Sequence, residues 1–81
     1  MANSYQQFGK EIMKNISKLL LLKQNRLNLT NQGMATLIGI SPATYDNLIS
    51  KKKHSIHGCY ADTIYKIHKY AGIKLEDIFN I

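Results

Sequence analysis

The sequence predicts an all-α domain of five helices with an extended first helix. Apolar residues recur at spacings of three and four through successive segments. Capping residues and glycines fall between those segments, where helices start and stop. The 81 residues, 44% hydrophobic and 20% charged, suit one folded domain over 1–81, because two halves would each be too short for a core.

From Ser4, the residues Tyr5, Phe8, Ile12, Ile16, Leu19 and Leu20 share one face and predict helix 1 over about Ser4 to Gln24. Ser4 and Gln7 form a capping-box pattern at its start. Lys10, Lys14 and Lys18 lie on another face, which suits a solvated stripe or a track along a phosphate backbone. Asn28 suits a left-handed helix end, and Thr30 is a good N-cap for helix 2, about Asn31 to Ile38. Gly39 tolerates the positive φ that stops helix 2. Ser41 then caps helix 3, whose first residue is Pro42, where a missing N–H costs nothing. Residues 51–58 have no apolar period and carry Lys51, Lys52, Lys53, His54 and His57, which predicts a basic loop. Ala61, Ile64, Tyr65, Ile67, His68 and Ala71 mark helix 4, ending near Gly72. Leu75, Ile78 and Phe79 predict a short fifth helix that closes the core.

Composition excludes several functions. A chain this size buries only about 60–65% of the surface it exposes unfolded, which leaves little room for an enclosed substrate pocket. The single cysteine, Cys59, rules out an internal disulfide framework and points to a reducing, cytoplasmic setting. The longest apolar run, Leu19 to Leu22, is far below a membrane span, and the stretch from Met1 to Lys10 lacks the regions of a signal peptide. A net charge of +6, from eleven Lys and Arg against five Asp and Glu, favours anionic partners. A membrane surface is the weaker choice, since helix 1's basic and apolar faces are accounted for by fold and nucleic acid.

The segment LTNQGMATLIGISPATYDNLIS carries the functional signal. Two short helices joined by a Gly-containing turn are the geometry that places a second helix in the DNA major groove. Ala35 falls where such helices cross and only a small side chain fits, while Met34, Ile38, Ile40, Tyr45 and Leu48 take the apolar positions that fix their angle. On these residues the chain resembles the Cro and CI repressor-like helix-turn-helix family, from about Ile16 to Phe79, with the helix-turn-helix at about 31–50. The ending YAGIKLEDIF is similar to that family's closing segment. The resemblance implies a lambda-repressor-like fold and a small transcription regulator, phage- or mobile-element-derived, that occupies an operator without a cofactor. It also implies a homodimer on a palindromic site. Tyr5 and Phe8 at one end, or Phe79 and Ile81 at the other, are the candidate dimer surfaces.

At 100° per residue, with Tyr45, Leu48 and Ile49 inward, helix 3 turns Ala43, Asn47 and Ser50 outward and puts Thr44 and Asp46 on the flanks. Asn47 can pair bidentately with adenine, and the methyl of Ala43 or Thr44 can pack on thymine. The resemblance puts Pro42, Ala43, Thr44 and Asn47 at base edges and Asn31, Gln32 and Ser50 near phosphates. Lys51, Lys52 and Lys53, directly after helix 3, would reach the backbone and release counterions. The chain departs from the family at Pro42, Tyr45, Gly33 and the basic loop. Pro42 stands where a long polar reader is usual, so specificity rests partly on DNA shape. Asp46 would repel any phosphate it faced. Tyr45 replaces a β-branched residue, which implies a core adjusted for a ring or a phenol reaching the surface. The basic loop is about four residues longer than usual. Gly33, inside helix 2, costs about 1 kcal/mol relative to Ala and reads as surface drift.

His54, His57 and Cys59, with His68 further away, match no common zinc-finger spacing and lack paired cysteines, so no metal is expected. Cys59 and His57 are too close in sequence to meet as nucleophile and base, and no third group is evident, so the chain is not expected to be an enzyme. A rival to DNA binding is a modulator or antirepressor that uses the same face to bind a larger repressor protein, a reading favoured by Pro42 and Asp46.

Overall fold

The computed structural model describes residues 4–50 and 61–80, which form five helices and no strand among them. They are α1 (Ser4–Leu27), α2 (Asn31–Ile38), α3 (Pro42–Ile49), α4 (Ala61–Ala71) and α5 (Leu75–Ile78). The basic loop with Lys51, Lys52, Lys53, His54, His57 and Cys59 lies outside the described residues. So do Ile81, the Ser4–Gln7 capping pattern and the Tyr5 and Phe8 side chains.

The helix boundaries follow from local chemistry. α1 runs to Leu27 rather than stopping near Gln24. Asn28 takes φ 55, and the Leu29 and Asn28 N–H groups donate back to the Gln24 and Asn25 carbonyls at 3.1 and 3.2 Å. That bond pair is a Schellman ending, which counts back from the left-handed residue and so keeps three more residues helical. Thr30 Oγ1 accepts from the Gly33 N–H at 3.0 Å and starts α2. Gly39 at φ 86 ends it, with the Gly39 and Ile40 N–H groups both donating to the Ala35 carbonyl. Ser41 Oγ accepts from the Thr44 N–H at 3.1 Å, and Pro42 opens α3.

At Gly33 a Cβ would lie 3.3 Å from Thr30 Oγ1 and 3.5 Å from Leu29 carbons, a fit that asks the cap side chain to give by only a few tenths of an ångström.

Each remaining helix finds a buried partner: α3 packs on α1 and α2, α4 on α2, and α5 on α1. The core comprises Met13, Ile16 and Leu20 of α1, Met34, Ala35 and Ile38 of α2, Tyr45 and Leu48 of α3, Ile67 and Ala71 of α4, Ile73, and Ile78. Burying each larger aliphatic side chain is worth about 1.5–3 kcal/mol. Ile12, Leu19, Ile40, Ile49 and Ile64 pack against its edge. Three large predicted core-facing residues do not stay inside. Tyr65, Leu75 and Phe79 are 55%, 42% and 43% exposed, while Thr63 is buried on α4.

Side chains from distant helices satisfy the carbonyls that helix ends leave open. Ser17 Oγ of α1 donates to the Ile49 carbonyl at 3.3 Å, and Asn15 Nδ2 donates to the Ile78 and Asn80 carbonyls at 3.2 and 2.9 Å. Lys66 Nζ of α4 lies 3.5 Å from the Gly39 carbonyl, beside the negative end of the α2 dipole. His68 Nδ1 lies 2.8 Å from the Ile73 carbonyl, to which it donates when protonated there, so this histidine has a structural task.

Candidate nucleic-acid interface

α2 and α3 are each eight residues long and pack on one another. Ala35 of α2 is 1% exposed and belongs to the core. Gly39 and Ser41 turn the chain between the two helices, so the outer face of α3 is fixed by the core rather than by a loop.

The face that α3 presents is short and mixed. Pro42, Ala43, Asp46 and Asn47 are exposed, in two rows of i,i+4 neighbours. Among the described residues no hydrogen bond engages the Asn47 amide, so both its donor and acceptor are free for an outside partner. Thr44 is half-buried, and its hydroxyl shares a 2.7 Å hydrogen bond with Ser41 Oγ. Its hydroxyl therefore supports the cap. Ser50 is half-buried and forms the extended C-cap of α3, so it stands less outward than the helical projection placed it. The projection fails there because the helix has already ended at Ile49. Gln32 is exposed on α2, and its carbonyl accepts from Thr36 Oγ1 at 3.0 Å.

Asn31 belongs to a polar chain that ties three helices together. Tyr45 Oη of α3 donates to Gln24 Oε1 of α1 at 2.6 Å. Gln24 Nε2 donates to Asn31 Oδ1 of α2 at 2.8 Å, and Asn31 Nδ2 donates to Asp46 Oδ1 of α3 at 3.3 Å. Tyr45 is fully buried with its hydroxyl, which ends on Gln24, so of the two sequence expectations the core adjusted for a ring holds and the phenol does not reach the surface. Burial, and then the neighbouring Asp46 carboxylate, push the phenol up from 10.0 to about 12. The Asp46 carboxylate accepts from Asn31 and remains exposed, which places a negative charge beside Asn47.

Gln24 is the member of this polar chain that the sequence pattern misses. Its partner Tyr45 lies 21 residues away, and a polar residue near a helix end carries no periodic signal. Lys10, Lys14 and Lys18 are exposed along α1, with Lys14 in a 3.9 Å ion pair with Glu11, a surface pair that contributes little to stability. No cluster of metal-ligating side chains occurs among the described residues, and none of the described helices is long and apolar enough to cross a membrane.

No family model, curated protein or solved structure matches the chain.

Proposed function

We propose that the protein is a sequence-specific DNA-binding transcription regulator of the Cro and CI repressor-like type, with a lambda-repressor-like fold, acting as a dimer that occupies an operator. α3 enters the major groove. Asn47 pairs with a base, Ala43 and the Thr44 methyl make apolar contacts, and Pro42 lies against the base edges without a hydrogen bond. Asn31, Gln32, Ser50 and Lys51 to Lys53 line the phosphates. The observation that carries this reading is the packed α2–turn–α3 unit, with Ala35 in the core and the unengaged Asn47 amide on the exposed side of α3. The net charge of +6 supports it.

The test is binding to duplex DNA flanking the protein's own gene, by footprinting and by titration across a salt series. Affinity should fall with a clear negative log-log salt slope, because lysines displace condensed counterions. Asn47→Ala should lower affinity for the footprinted site about 5- to 150-fold, matching the 1–3 kcal/mol of a bidentate base contact, and leave non-specific binding nearly unchanged. Lys52→Ala should weaken all sequences alike and reduce the slope by about one unit. A flat slope would remove DNA from the account.

A second reading is favoured by one observation, the exposed Asp46 carboxylate beside Asn47. In that reading the same face binds a larger repressor protein and modulates it. Full operator affinity in Asn47→Ala together with lost binding to the repressor would select this alternative.

A further inference from the structure

A groove of about 410 Å³ opens between the second half of α1 and the turn and helix that follow α4. It shares no residue with α2 or α3. Its apolar part is Leu19, Leu22 and Ile73, and Lys23, Arg26 and Lys74 stand around it. Leu22 is 58% exposed, the most exposed large hydrophobic residue among those described. Neither the core nor helix propensity requires a leucine at such a position.

The three cations are available to a partner. Among the described residues the only ion pair is Lys14 with Glu11, and no hydrogen bond engages the charged groups of Lys23, Arg26 or Lys74. The Lys23 ammonium lies beside the turn, 3.7 Å from where a Cβ on Gly72 would sit. Arg26 complements the negative end of the α1 dipole. That role leaves most of its five N–H donors unused.

Charge and apolarity together select the occupant. A phosphate backbone would use the cations but gain nothing from Leu22 and the apolar lining. A second copy of this chain brings eleven basic against five acidic side chains toward a groove that is already cationic. A peptide with carboxylates on either side of an apolar side chain uses the whole surface, and Asp77 can accept a hydrogen bond from its backbone. We propose that this groove docks a short acidic segment of another protein through one apolar anchor seated between Leu19, Leu22 and Ile73. The protein then has two separate binding faces, and this one stands whether or not α3 reads DNA.

The experiment selects a library of random short peptides displayed on phage against the immobilised full chain. The selected peptides should be enriched in Asp and Glu around a Leu, Ile or Phe. The best one, made synthetically, should lose about tenfold or more in affinity toward Lys23→Glu/Arg26→Glu, from two lost charge pairs and their reversed repulsion. It should also weaken toward Leu22→Ser. Leu22 is exposed, so this second variant keeps the fold, which helical circular dichroism checks for both. Selected peptides without acidic enrichment, or equal binding to the variants, would overturn the proposal. Loss of duplex DNA binding in Lys23→Glu/Arg26→Glu would make the groove a phosphate surface instead. Self-association of the wild type that the same variant abolishes would assign it to a second copy, and either result would overturn the peptide.

Discussion

Replacing Tyr45 with Phe should give a pH profile that crosses that of the wild type. The ring is fully buried, so Phe keeps the apolar contacts and removes only the hydroxyl that donates to Gln24 at 2.6 Å. Losing one such bond, with its acceptor left half-buried, costs about 1 kcal/mol at neutral pH. For a domain of this size that is a fall in Tm of about 4–8 °C. Alkaline pH works in the other direction. The folded state raises the phenol from 10.0 to about 12, so it holds the proton more tightly than the unfolded chain does. That stability is complete below pH about 10 and is lost as pH rises through about 12, a total of about 2–3 kcal/mol. The wild type should therefore lose its advantage near pH about 10.7 and become less stable than the Phe variant above it. Urea unfolding of both proteins at a series of alkaline pH values measures the difference, and titration of the other tyrosines and the lysines cancels between them. Parallel profiles, or a Phe variant as stable as wild type at pH 7, would refute both the Gln24 bond and the raised phenol.

Three further outcomes are expected. Ala35→Leu should destabilise the domain by about 1–3 kcal/mol, because Ala35 is buried in the core and the extra atoms overpack it; an unchanged urea midpoint would show that the core has room there. Ser41→Ala should cost about 1 kcal/mol in thermal unfolding, since Thr44 loses the acceptor for its N–H and the partner of its hydroxyl. Asp46→Asn should bring the Tyr45 phenol down toward 10.0, read from its tyrosinate absorbance, and should tighten binding to duplex DNA at low salt, with unchanged affinity counting against phosphate proximity.

How much the sequence determined depends on the range of each interaction. The bounds of α2 and α3 were legible because the Thr30 and Ser41 caps each act three residues ahead and Gly39 acts on its own φ. Asn28 was legible as a left-handed residue, although the length of α1 was underestimated by three positions. The inward set Tyr45, Leu48 and Ile49 followed from helical geometry alone, and so did the outward position of Asn47. Periodicity gives each helix an apolar face but does not say which part of that face another helix covers. Crossings between helices decided that Met13 and Thr63 are buried while Tyr65 and Phe79 stay half in solvent. The same crossings bring Gln24, Asn31, Tyr45 and Asp46 into one hydrogen-bonded chain and gather Leu22, Lys23, Arg26 and Lys74 around one groove. Leu22, Lys23 and Arg26 share helical spacing on α1, but no spacing rule links them to Lys74, or Gln24 to Asn31 and Tyr45. That proximity is a property of packed helices, fixed by the packing of α2 on α3 and by α1, which supplies the surface on which α3 and α5 rest.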